Sequence, residues 1–94
     1  MAIKTWQPIT PDGEGSICED NGEAALELLT AFNSDVQRDV ALSGHAFDAA
    51  FVLFAHVLSG LADGDHPMFG GTYAVRVRHY TREELDAMPE FSGY

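Results

Sequence analysis

Lysine occurs once in this 94-residue chain, at Lys4, and cysteine once, at Cys18. Five basic residues stand against fifteen acidic ones, leaving a formal net charge of −10. A field of that sign repels phosphate backbones and anionic lipid headgroups, so direct nucleic-acid and membrane-surface binding are not expected. A lone cysteine cannot close an intramolecular disulfide, which points to a reducing compartment, the cytoplasm. Long hydrophobic runs are missing too. The start, MAIKTWQPITP, lacks the apolar core of a secretory signal. The most apolar stretch, Ala46 to Ala62, is broken by Asp48, His56, Ser59 and Gly60 and falls short of the ~20 residues of a membrane span. No HExxH, GxSxG, phosphate loop or GxGxxG is present, so no motif names a reaction or a cofactor.

Hydrophobic residues make up 46% of the chain and charged ones 21%, a balance that supports one folded domain rather than disorder. Ala2 to Ile9 reads as an extended segment, limited by Pro8 and Pro11. A turn-rich acidic stretch follows to Gly22, with room for a short strand at Ile17 and Cys18. A helix capped by Asp20 or Asn21 should begin next, with Ala25, Leu26, Leu29 and Phe32 as its buried stripe. Ser34 and Gln37 have capping-box spacing, so the helix either restarts or kinks there before Val36, Val40 and Leu42.

The segment from Ala46 to Leu61 is apolar nearly all round, which calls for cover on several sides. After the loop DGDHPMFGG, Thr72 to Tyr80 alternates as a strand, and Thr81 with Glu84 caps a helix from Arg82 to Met88. The expected class is α+β and helix-dominated, with two to three helices on a small antiparallel sheet. The N-terminal strand pairs with the C-terminal one, because a lone strand would leave its backbone groups unsatisfied.

Charge is unevenly spread. From residue 12 to 65 the acids Asp12, Glu14, Glu19, Asp20, Glu23, Glu27, Asp35, Asp39, Asp48, Asp63 and Asp65 face Arg38 alone. Glu23 and Glu27 lie one helical turn apart, as do Asp35 and Asp39, and such like-charge pairs cost a few tenths of a kcal/mol. Glu19, Asp20, Glu23, Glu27, Asp35 and Asp39 are therefore the candidate partner-binding residues, set against a plain solvated face or an adaptation to a salt-rich cytoplasm.

Other constellations have a bland reading that is preferred. Asp63-Gly-Asp65-His66-Pro67 carries three donors but lacks the further ligands of a Ca²⁺ loop or a zinc site, and reads as a turn. His45 and His56 share a helix face about 16 Å apart, too far to hold one ion. Arg76, Arg78 and Arg82, interleaved with Tyr73 and Tyr80, have the residue types of a single-strand groove, yet in so acidic a chain they should pair with its own carboxylates. Cys18, beside Glu14, Glu19 and Asp20, should be a poor thiolate.

In size, acidity and absence of catalytic motifs, the chain resembles small phage-encoded inhibitors such as anti-CRISPR and anti-restriction DNA mimics. That resemblance implies a non-enzymatic protein that binds a bacterial defence complex in the host cytoplasm, stoichiometrically and without a cofactor, by covering a basic nucleic-acid-binding surface. The +3 local charge at Arg76, Arg78 and Arg82 argues against mimicry over the whole surface, and contact through an apolar patch is the variant. The alternatives are a homo-oligomeric structural or regulatory protein joined through helix 46–61 (a homodimer, for instance) and a small metal-dependent enzyme using Asp65, His66 and His79.

Overall fold

The structure, a computed structural model, describes residues 2–35 and 42–88. The class is α+β, as composition and alternation predict: among the described residues there are three helices and a four-stranded antiparallel sheet. In chain order the elements are β1 (Ala2–Thr10), β2 (Gly13–Glu14), α1 (Asn21–Asp35), α2 (Gly44–Ser59), β3 (Gly64–Met68), a 3₁₀ turn at Phe69–Gly71, β4 (Tyr73–Thr81) and α3 (Arg82–Ala87). The sheet order is β2-β1-β4-β3. The predicted pairing of the first and last strands is its centre, with Trp6 opposite Val77 and Pro8 opposite Val75.

Alternation along β1 and β4 decides which sheet face is covered. Trp6 from β1 and Tyr73, Val75 and Val77 from β4 pack with Ala24, Ala25 and Leu28 of α1 and Leu58 of α2 to form the core. Trp6 ties two layers together, because its indole N–H donates to the Leu58 carbonyl at 2.7 Å and satisfies a buried donor. One turn earlier on α2, Asn21 at the start of α1 joins the two helices, donating to the Ala55 carbonyl at 2.7 Å. No helix among the described residues is long and apolar enough to cross a membrane.

Three expectations are corrected. DGDHPM is not a loop: its residues 64–68 form β3, an edge strand on β4 with Gly64 opposite Val77. An edge strand tolerates Pro67, and the short, exposed, Pro-bearing edge resists pairing with another chain. Ile17 and Cys18 make a single bridge, Cys18 to Trp6, while β2 forms earlier. The stripe of α1 is also shifted: Ala24, Ala25, Leu28 and Leu29 are buried, whereas Leu26 is 48% exposed. Small alanines let α1 approach the sheet closely, and that rotates Leu26 outward.

Ser34 does not interrupt α1, which runs to Asp35; its hydroxyl donates to the Ala31 carbonyl, a local bond that an intact helix accommodates. The capping role expected of Gln37 and the apolar continuation at Val36 and Val40 lie outside the described residues. Across that gap Asn33 grips Leu42 by two bonds, accepting from its N–H at 2.6 Å and donating to its carbonyl at 2.8 Å. At the far end, the Thr81–Glu84 capping box is formed in both directions, as its spacing predicts.

Candidate interaction site

Asp20 opens the acidic face. Its Oδ1 accepts from the Gly22 N–H at 2.8 Å, so it is the N-cap of α1, and Asn21 is left to reach α2. One turn in, Glu23 stands exposed in the positive first turn of the helix, where a carboxylate is favoured. Glu27 follows one turn later, half-buried. These three carboxylates all raise the pKa of Cys18, after burial of the thiol itself, to about 11. Their negative potential therefore converges on one end of α1. Sequence neighbours suggested Glu14 and Glu19 for that effect; the fold substitutes Glu27 and Glu23, which the helix brings over the thiol.

Along the outer face of α1, Glu23, Leu26, Glu27, Thr30, Ala31 and Ser34 line a shallow depression of about 420 Å³. The spacing i, i+3, i+4, i+7, i+8, i+11 is that of one helix face. Among the described residues it holds an apolar floor, two carboxylates and no basic side chain. Leu26 was expected inside, so this feature was not legible in the sequence; the run of two alanines before it was the available signal.

The other acids of the predicted set are used within the chain or lie elsewhere. Glu19 accepts from both terminal nitrogens of Arg82 at 2.7 and 3.1 Å. That contact holds the Glu19 carboxyl below its ordinary value. Asp35 accepts from the Tyr73 hydroxyl, two turns beyond Glu27. Asp39 lies outside the described residues. The five described acids of the set thus divide by place: Asp20, Glu23 and Glu27 lie together in the first half of α1 and before it, while Glu19 and Asp35 reach toward α3 and β4.

No family model, curated protein or solved structure matches this chain.

The remaining titratable groups are dispersed. Arg76 bridges Glu14 and Asp65, each at 2.8 Å, and keeps the Asp65 carboxyl below its ordinary value. His79 Nδ1 meets Asp63 at 2.6 Å, and His66 Nε2 meets the Ala62 carbonyl at 2.6 Å. Asp65, His66 and His79 therefore face three different partners. Among the described residues no three His, Cys, Asp or Glu side chains are grouped so as to hold a metal ion. Tyr80 shares a sheet face with Arg76 and Arg78, but Tyr73 is buried under the helices on the other face, so the two tyrosines and the arginines do not line one groove.

A second surface stands out on α2. Phe51, Phe54, Ala55 and Leu58 turn toward the core, but Val52, Leu53 and Val57 are 64%, 68% and 54% exposed. The expected cover on several sides is present on one side only. From Ala49 to Ser59 the helix has no Asp, Glu, Lys or Arg.

Proposed function

We propose that this chain is a small, acidic, non-enzymatic binding protein that covers a basic, nucleic-acid-binding surface of a partner protein, as anti-CRISPR and anti-restriction inhibitors do. The observation that carries this reading is the outer face of α1, where Glu23 and Glu27 flank exposed Leu26 above a depression lined by no basic residue among the described ones. A lysine or arginine of the partner lying in that depression sets its aliphatic stem against Leu26 and Ala31 and its charged end at the carboxylates. The docking set is Asp20, Glu23 and Glu27. Glu19 and Asp35 leave it, since detaching them from Arg82 and Tyr73 would cost interactions already made.

The test is capture from a bacterial lysate by the tagged native protein and by the variant Glu23→Lys with Glu27→Lys, with bound proteins identified by mass spectrometry. The native protein should retain a basic, nucleic-acid-binding protein in stoichiometric amount. The variant, with unchanged circular dichroism, should retain about tenfold less or lower still, because it replaces two charge-assisted contacts by repulsion. Equal retention by both proteins contradicts the reading.

A second reading, homo-oligomerisation through α2, is favoured by the exposure of Val52, Leu53 and Val57 within the stretch 49–59, which has no Asp, Glu, Lys or Arg. Exposed aliphatics gathered on one face are uncommon in monomers and mark contact surfaces. The two readings use different helices and are compatible.

A further inference from the structure

The sheet face turned away from the helices carries Gln7, Arg76, Arg78 and Tyr80, which alternate with the buried Trp6, Val75 and Val77. With Glu14, and with Ile17 and Met88 reaching over from flanking segments, these side chains line a cavity of about 320 Å³. That volume is at the lower end of small-molecule pockets, and Ile17, Tyr80 and Met88 give it an apolar side facing the polar one of Gln7, Glu14 and the two arginines.

The arginines on and beside this face have unequal partners. Arg76 is neutralised by Glu14 and Asp65, and Arg82 by Glu19 with Asp86 at 3.9 Å. Arg78 projects from the same face as Arg76 and acts through space on the Asp65 carboxylate, but among the described residues no carboxylate is hydrogen-bonded or ion-paired to its guanidinium. Guanidinium donors exposed at a pocket wall suit a carboxylate, which can accept two of them at once.

We propose that this pocket binds a small amphipathic monocarboxylate, its carboxylate on the Arg78 guanidinium and its apolar body between Ile17, Tyr80 and Met88. Arg78 supplies the guanidinium at this wall that no ion pair among the described residues engages, and one guanidinium fork fits one carboxylate. A dianionic phosphate is disfavoured, because Glu14 and Asp65 sit beside Arg76 close by and the whole chain is at −10. A fully polar acid is disfavoured too, since Ile17 and Met88 offer it nothing. The site is on the opposite side of the sheet from α1 and independent of partner docking there.

Titration of the ¹⁵N-labelled protein with hexanoate, methyl hexanoate and inorganic phosphate, followed by amide chemical shifts, tests the proposal. Hexanoate should produce saturable shifts concentrated at Gln7, Ile17, Arg78, Tyr80 and Met88. The neutral ester, lacking the charge, and phosphate, lacking the apolar body, should each bind about tenfold more weakly or worse. Arg78→Gln should weaken hexanoate by a similar factor with the rest of the spectrum unchanged, and Arg78→Lys should fall between. Absence of saturable shifts, shifts centred elsewhere, or equal binding of the ester or of phosphate to the native protein would overturn the assignment, as would full affinity in Arg78→Gln. The ester and phosphate comparisons use the native chain, so they decide the matter even if a variant folds poorly.

Discussion

Tyr73 joins the two chemical regimes of the molecule. Its ring is buried against Phe32 and Phe69, edge-on at 5.6 and 5.7 Å, while its hydroxyl reaches Asp35 at the surface. The carboxylate accepts that proton and repels a phenolate, so the hydroxyl pKa is pushed from 10.0 up to about 12. Burial and the nearby carboxylates likewise lift Cys18 from 9.0 to about 11. Both folded values exceed the unfolded ones, so the stability they contribute is complete below pH 9 and is lost as pH rises toward 12. Thermal melts should therefore drop across that window, and Tyr73→Phe should flatten the upper part of the drop. At neutral pH Tyr73→Phe should cost about 0.5–1 kcal/mol, a modest hydrogen bond because Asp35 is solvated; a melt identical to that of the native protein would remove the bond from the account. Cys18 should resist iodoacetamide at pH 8 in the native state and react about a hundredfold faster in urea, following its thiolate fraction. Comparable rates in the two states would contradict its burial.

Phe69 is a residue whose role no pattern announced. It adopts φ 52°, a left-handed conformation that non-glycine residues rarely take, at the end of β3. Its ring stacks on Phe32 at 4.0 Å and lies 5.3 Å from Phe54, so packing with three rings offsets the backbone cost.

Among the elements, α2 departs furthest from what its residues suggest. Its all-round apolar pattern called for cover on several sides, yet within this chain it is covered on one, and Leu58 is its fully buried residue. Leu53→Asp should leave the fold intact, because Leu53 touches solvent over two thirds of its surface. If α2 joins two copies, light scattering should give a dimer for the native protein and a monomer for Leu53→Asp. A native protein that is monomeric at high concentration would remove the oligomeric reading and leave the α1 reading untouched.

Elements with strong local codes were the legible ones. The alternation of β4, the capping box of α3 and the pairing of the two long strands follow from side-chain period and cap chemistry that act over a few residues. β3 was not legible, since Gly64-Asp65-His66-Pro67 has turn composition and becomes a strand through pairing with β4, a long-range term. Leu26 was misplaced for a related reason: period alone cannot tell which of two adjacent stripes faces the sheet when alanines compete with leucines. For the acidic site, sequence spacing found Glu23 and Glu27 together. It could not find that Arg82 and Tyr73, more than 35 residues away in the chain, claim Glu19 and Asp35.

Over the whole molecule, a charge of −10 is only partly spent internally. Arg76 and Arg82 compensate acids on the sheet and beside α3, while the depression on the outer face of α1 is lined by no basic side chain among the described residues. Asp20, Glu23 and Glu27 act together on Cys18, so their charge is gathered where docking is proposed. Charge of this kind steers encounter and is screened by salt over roughly 10 Å at 0.1 M. The most direct test is the association rate with the captured partner, measured against sodium chloride concentration for the native protein and for Glu23→Lys with Glu27→Lys. The native rate should fall steeply as salt rises, and the variant should associate slowly with little salt dependence. A native rate indifferent to salt, or a variant that keeps the native slope, would contradict docking through α1.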